Sequence, residues 1–363
     1  MKKLVCFHLL NNYSGSPKVL KSVLQKMLEK GISVDLVTSG ADGALSELAK
    51  YPNIKFKTYK YRFSGNLFAT SFRYARTQIY TFFYALKYTF DKDTVFYINT
   101  ILPVMPAFAG KIIGKKVVYH YHENAYARGL FYRFLCSCMQ ILAHKIICVS
   151  NYQRSFLKRT RGVSVVSNAL PDNFVCKVNF NTFDRCKNKN ILLISSLKEY
   201  KGIADFFTLA GMLLQYTFTL VIGDEQSMID RWLEHRNLRK PDNMEVYACQ
   251  KDTAPFYENA SIVVNLSNKL YTVETFGMTI LEALSFGLPV IVPTVGGVSE
   301  LVEDGMNGYK IDVQNLPEIS DRITQILENT DIYEKLSKNA LKIVRKYNMD
   351  EMTSKIYGLL TSK

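Results

Sequence analysis

The chain has 363 residues, a formal net charge of +14 and 48% hydrophobic residues, which is enough for two domains with separate cores. Its seven scattered cysteines fit neither a disulfide framework nor a zinc pattern, so we expect reduced thiols in a cytoplasmic protein. No stretch offers the ~20 uninterrupted apolar residues that a membrane-spanning helix needs.

Charge is distributed unevenly along the chain. Residues 1–180 contain 26 Lys and Arg against 8 Asp and Glu, so they carry +18 and leave −4 to the remainder. A basic half followed by a mildly acidic half favours two domains with different partners.

The amino terminus is predicted to fold as a βαβ unit. The opening MKKLVCFHLL has an apolar run of only about seven residues and no cleavage site, so it indicates a strand, Lys3 to Leu9, rather than a signal peptide. A helix from Pro17 to Lys30 and a strand from Ile32 to Thr38 follow. The unit lacks the G-x-G-x-x-G pattern, so we expect no dinucleotide site.

The segment from Tyr59 to Phe90 is crowded with aromatic and basic residues and is predicted to be helical from about Asn66. This combination is typical of a surface that meets an anionic membrane. A buried helix with a basic outer face is the alternative, and both stay open. We expect no nucleic acid partner, because no recognition motif accompanies the charge.

The strand Val117 to Tyr121 ends at His122, where a parallel sheet would meet a ligand. We expect His120 to point to the opposite face and therefore choose His122, with a core histidine as the alternative. Asp91-Lys92-Asp93 has the spacing of a metal-binding motif, but it precedes the strand Thr94 to Asn99. We therefore predict no metal site there.

Further strands complete the first sheet, and a serine is predicted to cap the helix between them. The strands are Ile146 to Val149 and Val163 to Val166, and the cap is Ser150. Residues 173–189 lack periodicity and are predicted to link a first domain, 1–172, to a second, 190–346. Strands are expected there at Asn190–Ser195, Thr219–Gly223, Met244–Ala248 and Ile262–Leu266, and a helical region at Ile319–Lys346.

The most informative stretch is ETFGMTILEALSFGLPVIVPTVGGVSE, Glu274 to Glu300. It predicts a loop, a helix from Met278 to Phe286 that stops at Gly287, and a buried strand from Leu288 to Val292. Backbone N–H groups at the start of this helix would bind phosphate well. The groups in question belong to Phe276, Gly277, Met278 and Thr279.

Two carboxylates accompany that helix start. Glu282, expected within about the first turn and facing the same cavity, would repel phosphate and should instead accept hydrogen bonds from ribose hydroxyls. Burying it unpaired would be costly. Glu274 would bind a second polyol. Phosphate, ribose and polyol together describe a nucleotide sugar, and a buried helix with two unrelated glutamates is the alternative.

The runs E-T-F-G-M-T-I-L-E-A, G-L-P-V-I and G-G-V-S-E resemble the E-x7-E signature of the retaining glycosyltransferases of family four. The resemblance extends over most of the chain. It implies an α/β protein with the GT-B fold, in which two Rossmann-like domains face each other across a cleft. It also implies a last helix, 347–363, that packs back on the first domain, and no cofactor or metal ion.

The resemblance also implies roles for individual residues. Lys201, in S-L-K-E-Y-K-G, would bind the donor diphosphate, and Gly15 would face it. Ser196 stands where the family has arginine, so a hydroxyl replaces a bidentate cation, and Lys198 is a candidate to compensate for it. His122 and Glu274 would orient the donor sugar.

The resemblance implies transfer of a sugar from a UDP- or GDP-linked donor to a glycan or lipid-diphosphate-linked acceptor in cell-surface polysaccharide synthesis. The protein would be cytoplasmic, at the inner face of the membrane. Two alternatives stay open. One is a sugar-nucleotide epimerase or hydrolase of the same fold. The other is a non-catalytic partner in glycan assembly, which the missing arginine suggests.

Overall fold

The computed structural model of the chain describes residues 1–171, 174 and 182–362. The chain divides into two compact units, one formed by Met1–Ala169 with Met349–Lys363 and the other by Leu170–Asn348. Each unit contains one parallel sheet with helices, so the predicted α/β class with two Rossmann-like domains is confirmed.

The first unit is built on a seven-stranded sheet in the order β3-β2-β1-β4-β5-β6-β7, and all neighbouring strands are parallel. Its strands are β1 Lys3–Phe7, β2 Ser33–Ser39, β3 Ile54–Tyr59, β4 Thr94–Asn99, β5 Lys116–Tyr121, β6 Lys145–Cys148 and β7 Val163–Val165. The direction of the strand order reverses between β1 and β4, and loops at such a point form ligand sites in open parallel sheets.

Five helices connect the strands of this unit. They are α1 Gly15–Glu29, α2 Leu67–Leu86, α3 Val104–Ile112, α4 Leu130–Leu142 and α5 Asn151–Ser155. Asn66 caps α2, since its side chain accepts hydrogen bonds from the N–H groups of Phe68 and Ala69. The predicted cap at Ser150 is confirmed, because its hydroxyl accepts from the N–H of Gln153 at 3.1 Å.

The second unit has a six-stranded parallel sheet in the order β10-β9-β8-β11-β12-β13. Its elements are α6 Thr182–Asn188, β8 Asn190–Ser195, α7 Ile203–Met212, β9 Thr217–Ile222, α8 Gln226–His235, β10 Met244–Tyr247, α9 Ala254–Asn259, β11 Ile262–Val264, α10 Met278–Ser285, β12 Val290–Val292, β13 Gly308–Lys310, α11 Leu316–Glu328 and α12 Thr330–Val344. Here the strand order reverses between β8 and β11, two largely buried strands with an apolar centre that lie side by side.

The last helix, α13 (Met349–Thr361), belongs to the first unit, although its sequence follows the second. Lys26 of α1 pairs with Asp350 at 2.9 Å. The ammonium group of Lys116 donates to the carbonyl groups of Leu359 and Leu360 at the end of α13. Cations at a helix carboxyl end are favourable, so both ends of α13 are held on this unit.

The strands β3 and β13 were not predicted, and two further sequence-based assignments differ from the structure. The helical region 319–346 is two helices, because Asn329 ends α11 and its side chain caps α12 by accepting from the N–H of Ile332 at 3.1 Å. The segment 173–189 was expected to lack regular structure, but residues 182–188 form α6. The part of that predicted linker at 173 and 175–181 lies outside the described residues.

No helix in the described part of the chain combines the length and the apolar character needed to cross a membrane.

Candidate functional site

The strongest candidate site in the second unit lies at the carboxyl ends of β8 and β11, on either side of the reversal in strand order. The chain leaves β8 through a loop that contains Lys201 and leaves β11 through a loop that contains Glu274. Because the two strands are neighbours, these loops meet at one edge of the sheet.

Lys201 and Glu274 form an ion pair between the two loops. The Lys201 ammonium donates to the Oε1 atom of Glu274, and the hydroxyl of Ser267 donates to the same oxygen at 3.0 Å. Their side chains are only 21% and 14% exposed, so solvent screens the pair weakly. A cation and a carboxylate are thus held together at the place where a parallel sheet presents a ligand.

Both partners of this pair are stabilised in their charged forms. Burial alone would raise the pKa of Glu274, but the Lys201 charge and hydrogen bonds from Asn265 and Ser267 hold it below its ordinary value. Burial alone would lower the pKa of Lys201, and the Glu274 carboxylate raises it above its ordinary value. Both side chains therefore carry charge at neutral pH and can contact a ligand as ions.

Two glycines shape the loops around this ion pair. Gly202 and Gly277 precede α7 and α10 with φ of +71° and +100°, a conformation that other residues rarely adopt. A Cβ atom at Gly202 would lie 2.3 Å from the carbonyl oxygen of Leu266, and one at Gly277 would lie 2.6 Å from Cγ2 of Val298. Glycine is therefore required at both helix starts.

The start of α10 offers backbone donors, as the sequence predicted. Within the described part of the chain, no residue accepts a hydrogen bond from the N–H groups of Phe276, Gly277, Met278 or Thr279. Such groups at a helix amino end attract an anion. The N–H of Gly297, by contrast, donates to the carbonyl of Glu274 at 2.8 Å, which ties the Gly296-Gly297 turn to the same loop.

Glu282 lies at the start of the second turn of α10, close to where the sequence analysis expected it. It is the fifth residue of the helix and is half-buried. The hydroxyl of Tyr257 donates to its Oε2 atom at 2.7 Å. Burial, followed by the Glu282 charge, keeps the pKa of Tyr257 far above its ordinary value, so the phenol keeps its proton. The Glu282 carboxylate is thus fixed by a donor from α9 that the sequence did not reveal.

Ser196 follows β8, where the family has an arginine. Its carbonyl accepts from the hydroxyl of Ser195 at 3.0 Å and from the N–H of Lys198 at 2.8 Å. The Lys198 ammonium lies 6.0 Å from the ring centre of Tyr200, and the residue is exposed. Lys198 is therefore an exposed cation of this loop, and its side chain lies over the ring of Tyr200.

In the first unit, His122 lies directly after β5, at the carboxyl edge of the sheet. Its Nε2 atom is 3.0 Å from Oδ1 of Asn99, the last residue of β4. The amide nitrogen of Asn99 lies 3.1 Å from Nδ1 of His8, which follows β1. Polar side chains from three neighbouring strand ends thus form one network at the point where the strand order reverses.

The expectation for His120 was wrong. Its ring lies beside that of His122, with centres 4.1 Å apart, because residues two apart on a strand point to the same face. His120 is fully buried, and its Nδ1 atom is 2.7 Å from the hydroxyl of Tyr97. It is the inner histidine of a pair, and His122 is the one nearer the surface.

The histidines of this network are neutral at physiological pH. Burial lowers the pKa of His8 to about 4 and that of His120 to about 3. Burial, followed by the charges of His120 and His8, also lowers the pKa of His122 well below its ordinary value. With Oδ1 of Asn99 as acceptor, Nε2 of His122 carries the proton and Nδ1 is the accepting nitrogen.

Glu123 stabilises the backbone around His122. Its carboxylate accepts from the N–H of Ile101 at 3.2 Å and from the N–H of His122 at 3.3 Å. The roles of Glu123, Asn99 and His8 were missed. The sequence does show polar residues at the carboxyl ends of these three strands. The strands become neighbours only in the folded sheet, so their shared network was not predicted.

Two other predicted positions have ordinary surroundings. Gly15 is the first residue of α1, it is exposed, and a Cβ atom there would meet nothing within 4 Å. Asp91 pairs with Lys3 at 3.6 Å and precedes β4, so it lies at the amino edge of the sheet. In the part of the chain that the structure describes, no group of three His, Cys, Asp or Glu side chains could hold a metal ion.

Sequence models of two families match the chain. The model described as "Glycosyltransferase Family 4" matches residues 13–173, and the one described as "Glycosyl transferases group 1" matches residues 179–343. Together they span nearly the whole chain.

Curated relatives are distant and mostly match in part. A sucrose synthase of Melioribacter roseus is 35% identical over 91 residues, which is 24% of this chain and 12% of the relative. N-acetyl-alpha-D-glucosaminyl L-malate synthase of Bacillus anthracis is 22% identical over 210 residues, 56% of this chain and 53% of the relative. An uncharacterized glycosyltransferase of Haemophilus influenzae is 20% identical over 371 residues, covering 99% of this chain and 100% of the relative.

Among solved structures, Anabaena Alr3699/HepE in complex with UDP and glucose has a TM-score of 0.82 at 19% identity, and the match covers 100% of both chains. At this identity the likeness concerns the fold. The fold likeness agrees with the two family matches and with the E-x7-E signature, and the chain therefore belongs to the glycosyltransferases of family four, with the GT-B fold.

Proposed function

We propose that this protein transfers a sugar from a UDP- or GDP-linked donor to a glycan or lipid-diphosphate-linked acceptor, with retention of anomeric configuration and without a metal ion. The observation that carries this proposal is the Lys201–Glu274 ion pair beside the start of α10, at the strand-order reversal of the second sheet. A cation, unpaired N–H groups and a fixed carboxylate suit a diphosphate and a sugar together.

The donor diphosphate would lie against the N–H groups of Phe276 to Thr279 and the ammonium of Lys201. As the bond between the sugar and the diphosphate breaks, negative charge accumulates on the leaving nucleotide. Fixed N–H dipoles and one partly buried cation stabilise that charge electrostatically. Ser196 would add a neutral hydroxyl donor, and Gly15 would let the donor approach the backbone of the first unit.

Glu282 would bind the ribose. It is a poor phosphate ligand because of its charge, and the Tyr257 hydroxyl already orients one of its oxygens. A carboxylate can accept several hydrogen bonds at once, so Glu282 can also accept from sugar hydroxyls. The half-buried position of Glu282 makes such bonds stronger than they would be in water.

Glu274 and His122 would orient the donor sugar. Glu274 keeps its charge because of Lys201, so it accepts hydrogen bonds from sugar hydroxyls. His122 would act as a neutral imidazole, oriented by Asn99, that accepts one hydroxyl hydrogen bond through Nδ1. Neither residue is proposed as a nucleophile.

A non-catalytic role in glycan assembly is the second candidate, and the serine at position 196 favours it. Loss of a bidentate arginine removes one of the strongest contacts that a diphosphate can have. Such a protein would bind the nucleotide sugar without consuming it. Donor consumption measured next to donor binding separates the two candidates.

The experiment begins with a panel of UDP- and GDP-sugars in a heat-stability assay. A ligand at ~100 times its dissociation constant adds about 2.7 kcal/mol to the free energy of unfolding, which is readily measured. The stabilising donor is then incubated with candidate acceptors, with and without EDTA, and the anomeric configuration of the product is determined by NMR. We expect an unchanged rate in EDTA and a retained anomer; dependence on manganese or an inverted anomer would contradict the proposal.

The +18 charge of residues 1–180 supports an acceptor presented at the inner face of a membrane, as in cell-surface polysaccharide synthesis. A lipid-linked acceptor would bring the sugar chain to an enzyme that binds at the membrane surface. A soluble acceptor is expected if the protein fails to bind anionic vesicles.

A further inference from the structure

The first turns of α2 and α4 expose an unusual set of large apolar side chains. Six of them form what we call the apolar rim: Leu67, Phe68, Phe72, Leu130, Phe131 and Phe134. Leu67, Phe68 and Leu130 are each at least 80% exposed, and the other three are at least half exposed. Scattered apolar side chains are normal on protein surfaces, but six within two neighbouring helix starts indicate a binding surface.

The two helix starts are adjacent in space. The rings of Tyr74 in α2 and Phe131 in α4 contact each other edge to face, with centres 5.7 Å apart. The hydroxyl of Tyr74 donates to the carbonyl of Leu102 at 2.7 Å, which fixes α2 to the loop after β4. Another face of α2 is buried against the first unit, so α2 cannot rotate to bury Leu67, Phe68 and Phe72.

The apolar rim lies at the functional edge of the first sheet. Helix α2 follows β3, and α4 follows β5 with His122 in between. Because all strands are parallel, both helices begin at the edge that holds the carboxyl ends of the strands. A surface that docked through the apolar rim would therefore lie next to the edge that carries His122.

Charge around the apolar rim is of one sign. Residues 60–90 and 124–171 contain no Asp or Glu, whereas they contain five and seven Lys or Arg. Five arginines lie within a few residues of these apolar side chains in the sequence: Arg62, Arg73, Arg76, Arg128 and Arg133. An anionic surface complements this arrangement, while a second copy of the same face would meet like charge.

We propose that the apolar rim inserts into the headgroup region of an anionic lipid bilayer, with the surrounding arginines at the level of the lipid phosphates. Aromatic and leucine side chains enter the boundary between headgroups and acyl chains, and arginines bind phosphate oxygens. The binding itself does not depend on the proposed function; its consequence, delivery of a lipid-linked acceptor to the His122 edge, rests on that function.

The test is co-sedimentation with vesicles of phosphatidylcholine, with and without phosphatidylglycerol. A variant with Phe68→Ser, Phe72→Ser, Phe131→Ser and Phe134→Ser should bind at least roughly tenfold more weakly to the anionic vesicles. The matched control carries Ile112→Ser and Ile141→Ser, which are 60% and 73% exposed at the opposite ends of α3 and α4. It should bind as the wild type does. Equal loss in both variants, or no loss in the first, would overturn the proposal.

Salt separates insertion from simple charge attraction. Raising ionic strength from ~0.1 M to ~1 M shortens the screening length from ~10 Å to ~3 Å and should weaken the contribution of the arginines. The charge-reversed variant Arg73→Glu with Arg76→Glu should lose affinity at low salt, whereas the four-serine variant should lose it at both salt concentrations. Binding by the wild type that ignores lipid charge would contradict the role of the arginines.

Insertion depth gives an independent readout. Trp232 is the single tryptophan and lies in the second unit. In a Trp232→Phe background, Phe72→Trp should show a blue-shifted emission and quenching by brominated lipids when vesicles are added. Unshifted emission from protein that is bound to vesicles would overturn the lipid assignment. Self-association that needs no vesicles and is lost in the four-serine variant would favour a protein partner and would overturn it as well. UDP-induced heat stabilisation, measured in parallel, reports the proposed function separately.

Discussion

Lys201 and Glu274 join two loops that are 73 residues apart in sequence, and their ion pair lies at the strand-order reversal of the second sheet. The pair keeps a carboxylate charged in a partly buried position. The loop that carries Glu274 leads into the start of α10, where no acceptor for the N–H groups is found in the described part of the chain. The candidate donor site is therefore organised before any ligand arrives.

The variant Glu274→Gln should separate binding from transfer. Without the carboxylate, Lys201 is free to contact the diphosphate, and the negative charge near the phosphates is gone. We predict unchanged or tighter binding of the free nucleotide and at least a roughly tenfold loss of sugar transfer, since one hydrogen bond between charged and polar groups contributes about 1.5–3 kcal/mol. Calorimetry and initial rates measure the two effects. Nucleotide affinity that falls together with the rate would argue against a role confined to the sugar.

The variant Glu282→Ala should weaken nucleotide binding roughly 10- to 150-fold, which corresponds to about 1.5–3 kcal/mol for hydrogen bonds to a carboxylate. Tyr257→Phe is the matched control, because it removes the hydroxyl that orients Glu282 but leaves the carboxylate in place. Its effect should be smaller than that of Glu282→Ala. Full affinity in a folded Glu282→Ala protein would reject the ribose contact.

Two glycines that the sequence assigned to the donor site should respond differently to alanine. Gly277→Ala forces a left-handed residue and a contact at 2.6 Å with Val298, so we expect a loss of about 1–3 kcal/mol in the free energy of unfolding. Gly15→Ala meets no atom within 4 Å and should leave stability unchanged. Denaturant titration measures both. A donor that approaches Gly15 should nevertheless bind the stable Gly15→Ala protein more weakly, and unaltered affinity would remove Gly15 from the site.

The buried histidines make stability depend on pH. The ordinary histidine pKa is 6.5, while burial lowers the pKa of His8 to about 4 and of His120 to about 3. Between these values the unfolded chain binds protons that the folded chain does not. The free energy of unfolding should therefore fall as pH is lowered from ~6.5 to ~4, with a slope of up to about 1.4 kcal/mol per pH unit for each histidine.

Denaturant midpoints measured across this pH range test that prediction. The variant His120→Gln should flatten the slope, even if it lowers stability at every pH by leaving the Tyr97 hydroxyl with a poorer partner. His235→Gln alters an exposed residue of α8 and should keep the slope of the wild type. Identical slopes in the two variants would show that His120 is protonated in the folded state.

Local signals in the sequence were sufficient for the start of α10 and for most of the parallel strands, but β3 and β13 were not predicted. The strands Thr94–Asn99 and Asn190–Ser195 match the structure at both ends, because short apolar runs between polar turns are a local pattern. The start of α10 at Met278 was also predicted from a local signal, the glycine at position 277 before an apolar run of helix length. The family signature then added roles for Glu274, Glu282 and Lys201, which remain proposals.

Contacts between distant parts of the chain could not be predicted in this way. Asn99 and His8 are 91 residues apart, and only the strand order places them together. The donor to Glu282 comes from Tyr257, on another helix. The error at His120 has a different origin, since strand alternation, applied correctly, places it on the same face as His122.

The most direct measurement is calorimetric titration of the protein with UDP and with GDP, repeated on Lys201→Ala. We predict saturable binding of at least one nucleotide by the wild type and roughly 10- to 150-fold weaker binding by Lys201→Ala, with an unchanged circular dichroism spectrum. Equal affinity in the two proteins, or no binding of either nucleotide by the wild type, would contradict a donor site built on Lys201, Glu274 and the start of α10.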